Sequence, residues 1–285
     1  MDVDLRKLRY FVAVADELNF GRAAQRLHIA QPVLSRQIRA LEAELNAALF
    51  LRDRRRTELT AAGRQLRVDA GPLLANADAL RRRVARAARG ARTFTVGFMP
   101  GLTVTEPVRA LADANPGLTV EVLRTSWADQ VDVLHDGRVD VSYVRLPVDT
   151  AGLQLRALFA EPRVAVLPSS HRLAGKQAVH LSDLADEHLL QHPDVVPEWR
   201  EVAAEMRERR RLAPEIAMRS VEEKLEHVAA GRGISVLPRS TGSYYQRPDV
   251  SCVLIDDIAP TEVALAWVSS RRSPLIAQFA ALASR

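Results

Sequence analysis

The sequence is poor in cysteine and has no long apolar run. Cys252 is the one cysteine among 285 residues, so the chain cannot build an internal disulfide framework or a zinc site made of several cysteines. No apolar stretch approaches the roughly 18 residues that a membrane-spanning helix needs. The start, MDVDLRKLRYF, is charged and lacks the apolar core of a signal peptide. These absences predict a cytoplasmic protein that has no membrane partner.

The sequence also lacks the usual catalytic motifs. No G-x-S-x-G elbow, H-E-x-x-H helix, P-loop or G-x-G-x-x-G follows any strand-like segment, and the GRG at 231–233 is an isolated turn. The seven histidines show no metal-ligand spacing with a carboxylate or a cysteine. We therefore expect no enzyme activity, no catalytic residues, no metal site and no cofactor.

The positive charge is concentrated in the first third of the chain. Residues 1–92 hold 19 Lys and Arg against 10 Asp and Glu, whereas the remainder holds 21 against 25. A basic segment joined to a slightly acidic body indicates that the first third alone meets a polyanion such as nucleic acid.

The segment AAQRLHIAQPVLSRQIRALEAEL, residues 23–45, predicts two short helices joined by a tight turn. Asn19 is a suitable N-cap for the first helix, and Pro32 suits the first turn of the second helix, where its missing N–H costs nothing. The apolar face of the second helix consists of Leu34, Ile38, Leu41 and Leu45. This pattern is typical of a helix-turn-helix, which we place at residues 19–39, Asn19 to Arg39.

The polar side of the second helix is the candidate reader of DNA bases. Residues at the start of such a helix reach base edges in the major groove, and Gln and Arg can each pair bidentately with a base. A solvated helix start with ordinary surface residues is the alternative. The candidates are Gln31, Pro32, Val33, Ser35 and Arg36.

An arginine cluster follows one helix later. The segment LRDRRRTELT at 51–60 carries four arginines within five residues, which suits a small β-wing against the phosphate backbone. Such a cluster is otherwise a solvated face or tail. The candidate phosphate contacts here are Arg52, Arg54, Arg55 and Thr60.

Residues 60–90 contain no aromatic residue and show a heptad pattern of small and apolar residues. This pattern predicts a linker helix whose seam joins two copies of the chain, although packing against its own domain remains an alternative. Pro72 is expected to kink or split this helix. The candidate dimer contacts are Leu66, Leu73, Ala77, Leu80 and Val84.

From residue 93 onward, strand-like and helical segments alternate. TFTVGF, LTVEVL, VDVSYV, RVAVLP, HLLQH, ISVLP and VALAWV are strand-like, with helices expected around 104–114 and 127–136. This alternation predicts an α/β architecture that binds ligands beyond the carboxyl ends of its strands.

The run FVAVADELNFGRAAQRLHIAQPVLSRQIRALEAELNAALFLRDRRRTELTAAG resembles the N-terminal module of LysR-type transcriptional regulators. The resemblance implies that Gln31, Pro32, Ser35, Arg36 and Arg55 contact DNA. The N-terminal module departs from the family pattern in three places. Ala30 and Asn46 stand where serine and glycine are usual, and the wing lacks a glycine.

The resemblance also implies an α/β fold that follows an all-α winged helix-turn-helix and a linker helix. We expect the DNA-binding domain at 1–61, the linker helix at 62–91 and a periplasmic-binding-protein-like effector domain at 92–285. Its two α/β subdomains are expected at 92–162 with 266–285, and at 163–265.

The expected partners are double-stranded DNA, a second copy of the chain in a homodimer or homotetramer, a small-molecule effector and RNA polymerase. A ligand-binding transport protein and an enzyme fused to a DNA-binding module are the rival classes.

We expect the effector between the two subdomains, where two helix N-termini offer free N–H groups to an anion such as a carboxylate or aromatic acid. Thr103 is expected to open one of these helices, and Ser126 and Trp127 to precede the other. Arg145 is the expected bidentate partner of that carboxylate. Trp127, with Trp199 opposite it, would stack on an aromatic ring or fill the pocket. The alternative is that Arg145 is a structural ion-pair partner and Trp127 a core residue. The full candidate set is Thr103, Ser126, Trp127, Arg145, Trp199 and Ser220.

Overall fold

The computed structural model describes residues 4–52, 57–88, 92–203 and 220–284. These residues form two compact units. The first unit spans Met1–Gly90 with His135–Arg138, and the second spans Ala91–Leu134 with Val139–Arg285.

Three helices begin the first unit, and their ends follow from local sequence. Asn19 caps the second helix by accepting a hydrogen bond from Arg22 N at 2.9 Å, as predicted. The third helix contains Pro32 in its first turn and has no side-chain cap at Ala30. Asn46, just after that helix, adopts a left-handed φ of 49°, which Asn tolerates better than most residues. The helices are α1 (Leu5–Glu17), α2 (Phe20–Arg26) and α3 (Gln31–Glu44).

The apolar faces of these helices, including the predicted face of α3, meet in one core. Phe50 closes this core, with its ring centroid 5.4 Å from that of Phe11 and 5.7 Å from that of Phe20. Because one side of α3 is committed to this core, its opposite side faces outward. The fully buried members include Leu8, Val14, Ala23, Leu34, Ile38 and Leu41.

A short hairpin and a long helix complete the first unit. Strands β1 (Phe50–Arg52) and β2 (Thr57–Leu59) pair antiparallel, as expected for a wing. Helix α4 (Ala61–Ala88) is continuous through Pro72, so the expectation that Pro72 splits the linker helix is wrong. An ideal Cβ on Gly63 would lie 2.1 Å from Leu49 O, so only glycine lets α4 approach the wing this closely.

Helix α4 divides along its length into a packed part and an exposed part. Leu66 and Ala70 pack on the core of the first unit, so the alternative of internal packing holds for these positions. Further along, Leu73 is 44% exposed, Leu80 56% and Val84 61%. The second half of the predicted seam is therefore an apolar stripe that the chain itself leaves largely uncovered.

The second unit contains a five-stranded sheet with the order β4-β3-β5-β11-β6. Helices α5 (Thr105–Asp113) and α10 (Pro274–Leu282) cover one face around Phe279, and α6 (Asp132–His135) packs on the other. Strands β3, β4 and β5 are parallel, whereas β11 runs antiparallel to its neighbours. The strands are β3 (Thr93–Phe98), β4 (Thr119–Arg124), β5 (Val141–Arg145), β6 (Leu153–Glu161) and β11 (Thr261–Val268).

A four-stranded sheet with the order β8-β10-β7-β9 forms the second subdomain. An apolar cluster under α8 (Val221–Ala229) covers one face, with α9 (Arg239–Tyr244) beside it. A second cluster that includes Trp199 of α7 (Trp199–Val202) covers the other face. The strands are β7 (Arg163–Pro168), β8 (Ala178–Val179), β9 (Ser235–Pro238) and β10 (Val250–Ile255).

Three predicted boundaries in this unit need correction. The chain returns to the first sheet at Thr261, not at 266, because β11 pairs with β6 from its first residue. The HLLQH segment forms a single bridge, Leu189 to Ile234, and not a strand. The helix expected at 127–136 covers Asp132–His135 alone, because residues 127–131 form turns.

Candidate nucleic-acid interface and effector cleft

The outward side of α3 carries the predicted base-reading residues. Gln31, Pro32 and Arg36 are exposed, and Val33 and Ser35 are half-buried between them and the core. The first turn of α3 therefore presents an amide and a guanidinium, the two groups best suited to adenine and guanine edges in the major groove.

The arginines of the first unit differ in how their charge is compensated. Arg22 pairs with Glu17 at 3.2 Å, and Arg67 pairs with Asp16 at 2.7 Å. Within the described residues, Arg36 and Arg39 have no ion-pair partner. The uncompensated positive charge of α3 therefore lies on the side that faces away from the core, where a polyanion would be attracted.

Only some of the residues predicted to form the DNA contacts of the wing lie within the described part of the chain. Arg54 and Arg55 lie outside the described residues, and Arg52 is the last residue of β1. Thr60 has a structural role, because its hydroxyl donates to Ala48 O at 2.7 Å and accepts from Gly63 N at 2.9 Å. Its hydroxyl anchors the start of α4, and the prediction that it contacts phosphate gains no support.

Arg145 is a clamp within the second unit and is not available to an effector. It is 1% exposed, and its Nε donates to Glu161 Oε1 at 3.2 Å. Its Nη2 donates to Pro100 O at 3.1 Å and to Ser240 Oγ at 2.9 Å. Burial lowers the pKa of the Arg145 guanidinium, and the Glu161 carboxylate opposes that shift. The predicted pairing of Arg145 with an effector carboxylate is therefore wrong, and the alternative of a structural ion pair is what the structure shows.

The clamp joins the two subdomains at the point where the chain crosses between them. Glu161 Oε2 accepts from Ser240 N at 2.8 Å, and Thr241 Oγ1 donates to Pro100 O at 3.1 Å. Gly101 has a φ of +86°, and an ideal Cβ on it would lie 2.6 Å from the Ser240 backbone. Glycine is required here because the two backbones touch. Sequence reasoning missed Glu161 and Ser240, although a lone acid inside LFAEPRVAVLP is a signal of a buried ion pair.

Two further residues that were predicted to bind the effector lie just after the carboxyl end of β4. Ser126 donates through its N–H and its hydroxyl to Asp129 Oδ1, at 2.6 and 2.8 Å, so it shapes a turn. Trp127 is 42% exposed, which contradicts the alternative of a core residue. Beside them, the hydroxyl of Thr125 is buried and has no hydrogen-bond partner in the described part of the chain.

The other three residues predicted to bind the effector lie before a helix, in a core and at the N-cap of a helix. Thr103 is exposed but lies two positions before the first residue of α5, so it does not open that helix. Trp199 is 0% exposed and packs in the core of the second subdomain, so it cannot stack on a ligand opposite Trp127. Ser220 caps α8 by accepting from Glu223 N at 3.2 Å.

Two family models together match almost the whole chain. Residues 5–64 match the model described as "Bacterial regulatory helix-turn-helix protein, lysR family", and residues 87–285 match "LysR substrate binding domain". The chain belongs to the LysR family of transcriptional regulators. This LysR-type regulator combines a DNA-binding domain with an effector-binding domain, and it is not an enzyme. The family resemblance and the fold class inferred from the sequence are confirmed.

Similar proteins match along nearly their full lengths. The HTH-type transcriptional regulator BudR of Raoultella terrigena is 32% identical over 290 residues, covering 97% of this chain and 99% of BudR. BenM of Acinetobacter baylyi is 34% identical over 283 residues, covering 96% and 93%. The crystal structure of full-length CbnR with its target DNA is 26% identical, covers 99% of each chain and gives a TM-score of 0.59. Among the described helices of the LysR-type regulator, none is long and apolar enough to cross a membrane.

Proposed function

We propose that the regulator binds a partially palindromic operator as a dimer or tetramer. The observation that carries this proposal is the exposed side of α3, where Gln31 and Arg36 are free to meet base edges. In a symmetric dimer, the two copies of α3 would enter major grooves one DNA turn apart, about 34 Å. The regulator would act in the cytoplasm, where DNA and RNA polymerase are its partners.

The exposed stripe of α4 is the proposed contact between two copies. Leu73→Glu combined with Leu80→Glu places like charges on this stripe, so we expect the dimer to dissociate. Light scattering at low concentration should then give a mass near the 31.5 kDa of one chain. A matched control, Gln65→Glu with Val68→Glu, adds the same charge at exposed positions of α4 outside the stripe and should remain dimeric. A persistent dimer in the Leu73/Leu80 variant would show that other surfaces carry the assembly.

We propose that the effector is a small organic anion, a carboxylate or an aromatic acid, which binds at the carboxyl edge of the first sheet. Support comes from the part-exposed indole of Trp127 and the free N–H groups at the start of α5. The Thr125 hydroxyl, which has no hydrogen-bond partner among the described residues, adds to this support. The family model "LysR substrate binding domain" matches the second unit along its whole length.

A panel of small carboxylic and aromatic acids tests this proposal by thermal shift and tryptophan fluorescence. The effector should raise the melting temperature, because a ligand at 100 times its Kd stabilises the folded state by about 2.7 kcal/mol. It should also quench Trp127, the exposed indole, and Trp127→Phe should remove the quench. A quench that survives in Trp127→Phe would place the site elsewhere.

A further inference from the structure

A second concave site lies on the second subdomain. It is an open groove of about 750 Å³ between β10 and the segment that follows α9. Polar groups dominate its walls, and Val250 and Leu254 supply an apolar floor. The polar side chains used below are Gln177, Arg239, Tyr245, Arg247, Ser251 and Cys252.

The charge of the groove is positive. Two arginines and no carboxylate belong to its described lining. Arg247 is neutralised by Asp249 and Glu226, with both ion pairs at 2.6 Å. Arg239 is exposed, and its guanidinium has no hydrogen bond or ion pair with any residue that the structure describes. The groove therefore combines one uncompensated guanidinium with apolar surface, the chemistry that suits a small carboxylate with an apolar body.

Two side chains of the groove are held by hydrogen bonds to other parts of the chain. The Tyr245 hydroxyl donates to Glu222 Oε1 at 2.9 Å and accepts from Arg124 Nη2 at 2.9 Å. The Ser251 hydroxyl donates to Ala174 O at 2.7 Å. Because Tyr245 and Ser251 are already held, a ligand would not have to order these two side chains, which reduces the entropic cost of binding.

We propose that this groove is a second ligand site of the regulator, which binds a small carboxylate with an apolar body through the guanidinium of Arg239. The described lining of the groove belongs to the second subdomain and includes neither Thr125 nor Trp127. Tyr245 contacts Arg124, the last residue of β4, so each of the two positions needs its own readout.

The one thiol of the chain reports on this site. Cys252 lines the groove and is exposed, so its alkylation by iodoacetamide measures whether the groove is occupied. With benzoate as the probe, we expect saturable protection of Cys252. Arg239→Gln should weaken this protection about tenfold, because a charge-assisted hydrogen bond is lost. Arg272→Gln, which changes an exposed arginine of the second unit outside the groove, should leave the protection unchanged.

The outcomes separate this proposal from the proposed effector site. Loss of Cys252 protection in Arg239→Gln with an unchanged Trp127 quench supports two sites. Absence of protection by benzoate at its solubility limit, or equal protection in the parent and in Arg239→Gln, would overturn the groove proposal. Neither result would affect the proposal for the effector site, because Trp127 fluorescence tests that site independently. Arg239 is exposed, and an unchanged melting temperature of Arg239→Gln in the absence of benzoate would verify that the variant is folded.

Discussion

Arg145→Met is expected to destabilise the second unit by about 3–5 kcal/mol, because it leaves the buried Glu161 carboxylate without its charged partner. Arg145 and Glu161 are both buried, at 1% and 7% exposure. Urea unfolding followed by the fluorescence of the tryptophans, including the buried Trp199, measures this loss. Arg156→Met, an exposed arginine on β6, the strand that follows β5 in sequence, is the matched control and should change stability by less than about 0.5 kcal/mol.

A second variant separates the lost charge pair from lost packing. Arg145→Met combined with Glu161→Leu removes both charges, and replacing a buried pair by apolar side chains is often nearly neutral. The double variant should therefore be more stable than Arg145→Met alone. If Arg145→Met unfolds at the same urea concentration as the parent, the clamp contributes little and its assignment as a structural element is wrong.

Arg36→Ala is expected to weaken strongly the preference of the regulator for its operator while leaving the fold intact. Arg36 is exposed on α3, whereas Leu34 and Ile38 are fully buried. Loss of one bidentate base contact costs about 1–3 kcal/mol of binding free energy and relaxes specificity at that base pair. Fluorescence anisotropy with operator and random duplexes at one fixed salt concentration gives the ratio of the two affinities.

Two comparison variants distinguish loss of the base contact from loss of positive charge. Arg36→Lys keeps the positive charge but loses the planar fork, so it should retain non-specific binding and lose most of the preference. Arg109→Ala removes an exposed arginine from α5 and should change neither affinity. An unchanged ratio of operator to random binding in Arg36→Ala would mean that α3 faces DNA in another orientation.

The position of α3 was predictable because the sequence features that define this helix are local. The apolar spacing of Leu34, Ile38 and Leu41 and the first-turn position of Pro32 all lie within one helix. The cap at Asn19 is formed with Arg22, only three positions away. Interactions of this range can be inferred without knowledge of the tertiary structure.

The interior of the second unit was predictable only in outline, because its decisive contacts are distant in sequence. Arg145 meets Glu161, 16 positions later, and Ser240, 95 positions later. No local sequence pattern distinguishes an arginine that forms a buried ion pair from an arginine that binds a ligand. Likewise, the start of β11 at Thr261 follows from its pairing with β6, and the burial of Trp199 depends on the sheet beneath it. The class of architecture was therefore inferred correctly, while the roles of Arg145 and Trp199 were not.

The most direct test of a symmetric DNA-reading dimer is selection of binding sites by the full chain from random duplex DNA. The proposed function predicts enrichment of an inverted repeat whose half-site centres are one helical turn, about 10–10.5 base pairs, or a multiple of it apart. Arg36→Ala should fail to enrich the same repeat. Enrichment of a site without two-fold symmetry, or equal enrichment by the parent and Arg36→Ala, would contradict this account.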